Sequence, residues 1–142
     1  MYARNNPLIF IDPLGLYWEY AQSSGQLTYV ANQTGARTLV GTGYSGNALG
    51  LNNTSMQNIA YVGPIPQGIY DIGQAYRHQH LGPLTMNLIP RPATNTFGRN
   101  LFRMHGDNSC QCESASEGCV ILPRNIREQV NNSTDREMRV VK

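Results

Sequence analysis

Turn-forming residues interrupt this chain so often that little of it is free to be helix. The 142 residues include 14 Gly and 8 Pro. They fall in clusters with small polar residues, such as Ser23-Ser24-Gly25, Gln33-Thr34-Gly35 and Ser45-Gly46-Asn47. Glycine tolerates positive φ and proline lacks a backbone donor, so each cluster ends an element. Short β-type runs lie between them at close spacing, the pattern of a mainly β domain. Strands are expected over Tyr17–Ala21, Gln26–Asn32, Thr38–Tyr44, Gly68–Ala75, Leu84–Pro90 and Leu101–His105, with a closing strand over Glu137–Lys142. Residues 47–67 are polar and read as a long connection with a helical turn near Thr54–Ile59.

One short amphipathic helix is expected over Pro123–Val130. Proline suits a first turn, and Ile126 and Val130, spaced i,i+4, would face the core. The length fits one domain with a real core. Charged residues make up 14% of the chain, the net charge is +2, and the single Lys is the last residue. Phosphate binding needs clustered Lys and Arg, so nucleic acid is not an expected partner. No segment reaches the ~18 apolar residues of a membrane-spanning helix, so no membrane insertion is expected. The N-terminal region lacks the basic start of a Sec signal peptide, and Pro7, Asp12, Pro13 and Gly15 break its apolar residues.

Chemistry concentrates late. Cys119 stands fourteen positions after His105, in Ser116-Glu117-Gly118-Cys119-Val120-Ile121-Leu122. A thiolate attacks carbonyl carbon where a thiol does not, and an imidazole can take the proton. Gly118 leaves room for a substrate backbone. His before Cys is the reverse of the papain-like order. Cys119 could instead be a buried structural cysteine, since Val120-Ile121-Leu122 is apolar. His78 and His80 compete with His105, but Tyr76-Arg77-His78-Gln79-His80 reads as an exposed turn. The imidazole tautomer could be fixed by Asp107 or by a backbone carbonyl.

These residues resemble the catalytic signature of L,D-transpeptidases, an upstream His followed by Ser-x-Gly-Cys. In particular they resemble the small bacterial toxin branch delivered by type VI secretion systems. Trp18-Glu19-Tyr20 with Ser24-Gly25-Gln26-Leu27, Gly43-Tyr44-Ser45-Gly46, and Val62-Gly63-Pro64-Ile65-Pro66-Gln67-Gly68-Ile69-Tyr70 extend the resemblance over roughly residues 17–142. One departure is that many family members carry Arg two residues after the Cys, where this chain has Ile121.

The resemblance implies an L,D-transpeptidase-like β-sandwich with one or two short helices. It implies Cys119 as nucleophile and His105 as base, with the backbone N–H groups of Gly118 and Cys119 holding the oxyanion and Ser116 bonding beside the pair. No cofactor or metal is implied. The implied substrate is a peptidoglycan stem tetrapeptide, attacked at the carbonyl of its third residue with loss of the terminal D-Ala. Water, a D-amino acid or a neighbouring stem would then resolve the thioester. Arg103 shares a strand face with His105 and is the expected carboxylate contact, ahead of Arg99, Arg91 and Arg124. Tyr44, between small residues, could line a groove or be an ordinary strand-end tyrosine; it and Asp107 are the further expected substrate contacts.

Residues 1–16, with Asn6-Pro7 and Asp12-Pro13-Leu14-Gly15-Leu16, resemble the end of an Rhs core that closes a cage and cuts itself before a C-terminal toxin. That implies a junction at residues 1–16, a toxin domain at 17–142, export within a larger machine, action in the periplasm of target bacteria, and a cognate immunity protein in the producer. The residues themselves say only that turns mark a boundary. Two rivals stand. One is a sortase-like or other His/Cys peptidase. The other is a non-enzymatic module stapled by zinc through His105, Cys110, Cys112 and Cys119. Cys110 and Cys112 could alternatively form a tight disulfide.

Overall fold

In a computed structural model of the protein, residues 16–31, 33–107 and 118–142 are described. Among the described residues are ten strands and one α-helix: β1 Leu16–Ala21, β2 Gln26–Ala31, β3 Arg37–Thr42, β4 Tyr44–Ser45, β5 Gly68–Ile72, β6 Tyr76–His78, β7 Gly82–Pro90, β8 Arg103–His105, β9 Val120–Ile121, α1 Arg124–Asn132 and β10 Glu137–Val141. The fold is mainly β with one short helix, as expected. Its strands run as one open sheet in the order β3-β2-β1-β10-β5-β7-β8-β9-β4, with β6 attached to β7. Two separate sheets are not needed to enclose a core. Trp18, Tyr20 and Leu27 from one end of the path cluster with Met104 and Val120 from the other.

Alternation sets the inward faces. In β10, Met138 and Val140 are buried while Glu137, Arg139 and Val141 are partly exposed, the period of two of a half-buried strand. β10 lies between β1, to which it is parallel, and β5, to which it is antiparallel. The last strand of the chain therefore knits the first to the middle. In α1, Ile126 and Val130 face the core as their spacing requires, and Arg127 is buried beside them.

Three local expectations change. The run Thr38–Tyr44 is two strands, because the chain switches partners at Gly43. A Cβ at Gly43 would stand 1.8 Å from the Ile121 carbonyl oxygen. Only glycine allows that approach, and it lets β4 leave β2 and β3 and pair with β9. The segment Tyr76–His78, read as an exposed turn, is β6, paired with β7 through Tyr76 opposite Thr85 and His78 opposite Gly82. Its apolar content is too low for alternation to reveal it. The connection over 47–67 holds two 3₁₀ turns, Ala48–Gly50 and Thr54–Met56, of which the second was expected.

Candidate functional site

Strands β7, β8, β9 and β4 build the site. β8 and β9 run parallel, with Met104 opposite Val120 and His105 opposite Ile121. Met104 and Val120 are fully buried in the core, so Arg103 and His105 take the other face, as does Ile121. Tyr44 pairs with Ile121 and joins that face from β4. Cys119 immediately precedes β9. Strands lie about 4.8 Å apart and rise about 3.3 Å per residue. The His105 and Cys119 backbones are thus neighbours across two strands.

The His105 ring is 2% exposed. Its Nδ1 lies 2.8 Å from the Gly106 carbonyl oxygen. A carbonyl only accepts, so Nδ1 carries the proton and Nε2 is the nitrogen with a lone pair to accept one. The tautomer is thus fixed by a backbone carbonyl. Asp107 does other work, accepting a 2.6 Å hydrogen bond from the Tyr44 hydroxyl. Burial pushes the imidazole below its ordinary value, against the opposing effect of the Gly106 hydrogen bond, and Arg127, Arg103 and His78 push it further the same way. His105 therefore rests neutral, which suits a base and disfavours a resting imidazolium–thiolate pair.

Cys119 is half-buried and unoxidised. Its thiol donates toward the Leu101 carbonyl oxygen across 3.8 Å. Leu101 is 68% exposed and sits at φ +63°. That left-handed conformation costs a side-chain-bearing residue roughly 1–2 kcal/mol, and strain of this kind gathers at working sites. Nδ1 of the imidazole and the thiol thus bond different carbonyls, those of Gly106 and Leu101, although β8 and β9 adjoin.

Backbone anchoring around the thiol is tight. The Ser45 hydroxyl donates to the Cys119 carbonyl at 2.7 Å and accepts from the Ile65 N–H at 2.8 Å. Gly118 has φ +119°, and a Cβ there would stand 2.2 Å from Nη2 of Arg99. Ser45 was not singled out in the sequence, although it lies in the Gly-Tyr-Ser-Gly stretch that was. Nothing in the sequence marks Arg99 as a neighbour of Gly118. Ser116 lies outside the described residues, as do Cys110 and Cys112, on which the zinc and disulfide alternatives depend.

A cleft of about 610 Å³ opens beside this face, lined among others by Tyr44, Gly106, Asp107, Ile121, Arg124 and Arg127. Arg127 is 7% exposed. Its Nε donates to the Leu122 carbonyl, and its Nη1 to those of Pro83 and Leu84. Arg103 stands apart from this cleft. It borders a smaller hollow with Asn87, Ile89, Leu101 and Phe102, and its buried Nε has no hydrogen-bond partner. Arg91 is committed to Asp71 and Glu137, and Arg124 to Glu128. His78 is half-buried, and its Nδ1 accepts from the N–H groups of His80 and Leu81. It acts there as a turn acceptor.

Among the described residues, no cluster of three His, Cys, Asp or Glu side chains could hold a metal ion. No described helix is long and apolar enough to cross a membrane.

No curated protein matches this chain. A solved structure of Bdellovibrio bacteriovorus Bd1075 is similar in fold, with a TM-score of 0.59 at 11% identity, over 89% of this chain and 47% of that one. The chain thus spans about half the length of that protein. The family model for the Tlde1 domain matches residues 40–142, which takes in every described strand of the site and α1. On that match the chain belongs to the Tlde1 domain family, a family of type VI secretion effectors.

Proposed function

We propose that the domain is an antibacterial cysteine L,D-transpeptidase or L,D-carboxypeptidase acting on peptidoglycan stem peptides. The observation that carries this reading is the parallel pairing of β8 with β9. It supports the reading because it sets a buried imidazole, held through Nδ1 by a carbonyl, on the strand next to the one that the half-buried Cys119 precedes, and their chain neighbours Gly106 and Ile121 line a cleft.

The Cys119 sulfur turns from the Leu101 carbonyl and gives its proton to Nε2 of His105. It attacks the carbonyl carbon of the third stem residue. Negative charge forms on the carbonyl oxygen, where the N–H groups of Gly118 and Cys119 receive it; such donors are worth roughly 3–4 kcal/mol in a transition state. The bond to the nitrogen of the terminal D-Ala breaks, and that nitrogen takes the proton back from His105. The thioester then yields to water or to an incoming amine, with His105 again as base. Arg103, which borders the smaller hollow beside Leu101, is the proposed contact for an acidic group of the stem. Tyr44 and Asp107 form a hydrogen-bonded pair on one wall of the cleft. Loss of tetrapeptide donors would starve normal crosslinking.

The test is mass spectrometry of purified muropeptides after incubation with the domain, with and without D-amino acids. Tripeptide or exchanged tetrapeptide should appear and should be absent with Cys119→Ala. Cleavage in the glycan instead, or activity surviving in Cys119→Ala, sinks the reading.

Carriage as the C-terminal part of an Rhs protein is a second proposal, resting on residues 1–16. All but Leu16 lie outside the described residues. Leu16 opens β1 opposite Ala31, so a cut after it would free a domain that keeps nearly all of β1. The Rhs cage and an immunity protein are its proposed partners, and the target periplasm its proposed place of action.

A further inference from the structure

Arg99 is charged and buried, and it plays no part in the chemistry above. Its Nη1 donates to the carbonyl oxygens of Gln57 at 2.5 Å and Pro64 at 2.8 Å, and its Nη2 to that of Gly63 at 3.1 Å. The guanidinium carbon sits 5.7 Å from the centre of the Phe102 ring. One edge of the fork therefore grips the 57–64 segment, and Nη2 also packs on Gly118 so closely that any side chain there would collide with it. A rigid planar donor set does this where a lysine could not.

We propose that Arg99 is a positioning residue for the nucleophile: it clamps the Gly118–Cys119 turn against the 57–64 segment and holds a positive charge beside the thiol. The inference rests on Cys119 being the nucleophile. Two effects follow. The clamp keeps Gly118 in its left-handed conformation and so fixes where the N–H groups of Gly118 and Cys119 point. The charge favours thiolate over thiol, opposing the Leu101 carbonyl, which favours the protonated form. The influence is mutual: burial lowers the proton affinity of Arg99, while Tyr70 and Cys119 act in the opposite direction.

A mere tether of the 57–64 segment would make the same carbonyl contacts, so the readout must be the thiol. Iodoacetamide labelling of Cys119 is followed across pH by peptide mass in wild type, Arg99→Lys and Arg99→Gln, with thermal melts alongside. Arg99→Gln should raise the labelling midpoint by about one unit, a tenfold loss of thiolate at neutral pH. Arg99→Lys keeps the charge and should stay closer to wild type, although both variants lose the fork and melt earlier. In muropeptide turnover, Arg99→Gln should lower kcat about tenfold with little change in KM.

Identical midpoints in all three folded proteins would overturn the proposal and leave Arg99 a tether. If Arg99→Gln does not fold, His105→Ala decides. With the imidazole gone, a midpoint still below ~8.5 supports Arg99, and one at or above it overturns the proposal. Labelling reports the influence of Arg99 on the thiol whether or not the enzyme turns over. A failed nucleophile reading, seen as activity in Cys119→Ala, is therefore distinguishable from a failed role for Arg99.

Discussion

At the residue scale, the proposed chemistry turns on a protonation state. His105 is buried between a carbonyl that orients it and cations that discourage its protonation. Its folded proton affinity is therefore lower than that of a free imidazole, whose pKa is ~6.5. Activity should hold at neutral pH and fall only as the pH drops below about 6.5. An acid limb centred above that value would contradict a buried neutral base. The same shift bears on stability: the folded state binds fewer protons than the unfolded one, so stability is full above ~6.5 and declines as pH falls below it. His105→Gln, which cannot take a proton, should remove that acid limb and lose at least about a hundredfold in kcat. Cys119→Ala should abolish muropeptide processing with an unchanged melt. Cys110→Ala and Cys112→Ala should keep most activity, and equal loss in all three would point to a shared metal.

At the element scale, two close contacts hold the elements around the site together. Ile126 of α1 packs against Gly41, where an added Cβ would come within 2.8 Å of its Cδ1. Ile126→Ala should cost about 2–4 kcal/mol, read in urea melts, by leaving a cavity under α1. Because Arg127 sits on the same helix and lines the cleft, turnover should suffer as well. Gly43→Ala should act differently. Its Cβ would strike the Ile121 carbonyl, prising β4 from β9 and displacing Tyr44. A variant that folds and turns over like wild type would show that this pairing is dispensable.

At the scale of the whole molecule, β10 is the closure. It bonds to β1 on one side and β5 on the other. Deleting residues 137–142 should therefore prevent folding, seen as loss of the cooperative melt. Removing residues 1–15, in contrast, should leave turnover intact, since β1 begins at Leu16. A chain carrying a full upstream core should release a fragment that starts at Tyr17, checked by N-terminal sequencing. A different start would move the boundary.

The sequence by itself determined most of the strands, because turn residues delimit them and β-type residues fill the runs between. Met138 and Val140 announced β10, and Ile126 and Val130 announced α1. It also marked Cys119 and His105, whose chemistry is unusual in any context. Three things were decided by tertiary structure. β6 has no apolar period of its own and exists only because β7 offers an edge. The tautomer of His105 depends on where the Gly106 carbonyl points, which no residue type encodes. The setting of the thiol depends on Ser45, Leu101 and Arg99, brought from 74, 18 and 20 positions away. Local periodicity reports a residue's own strand or helix; it carries no information about contacts made across such separations, and those contacts set the site.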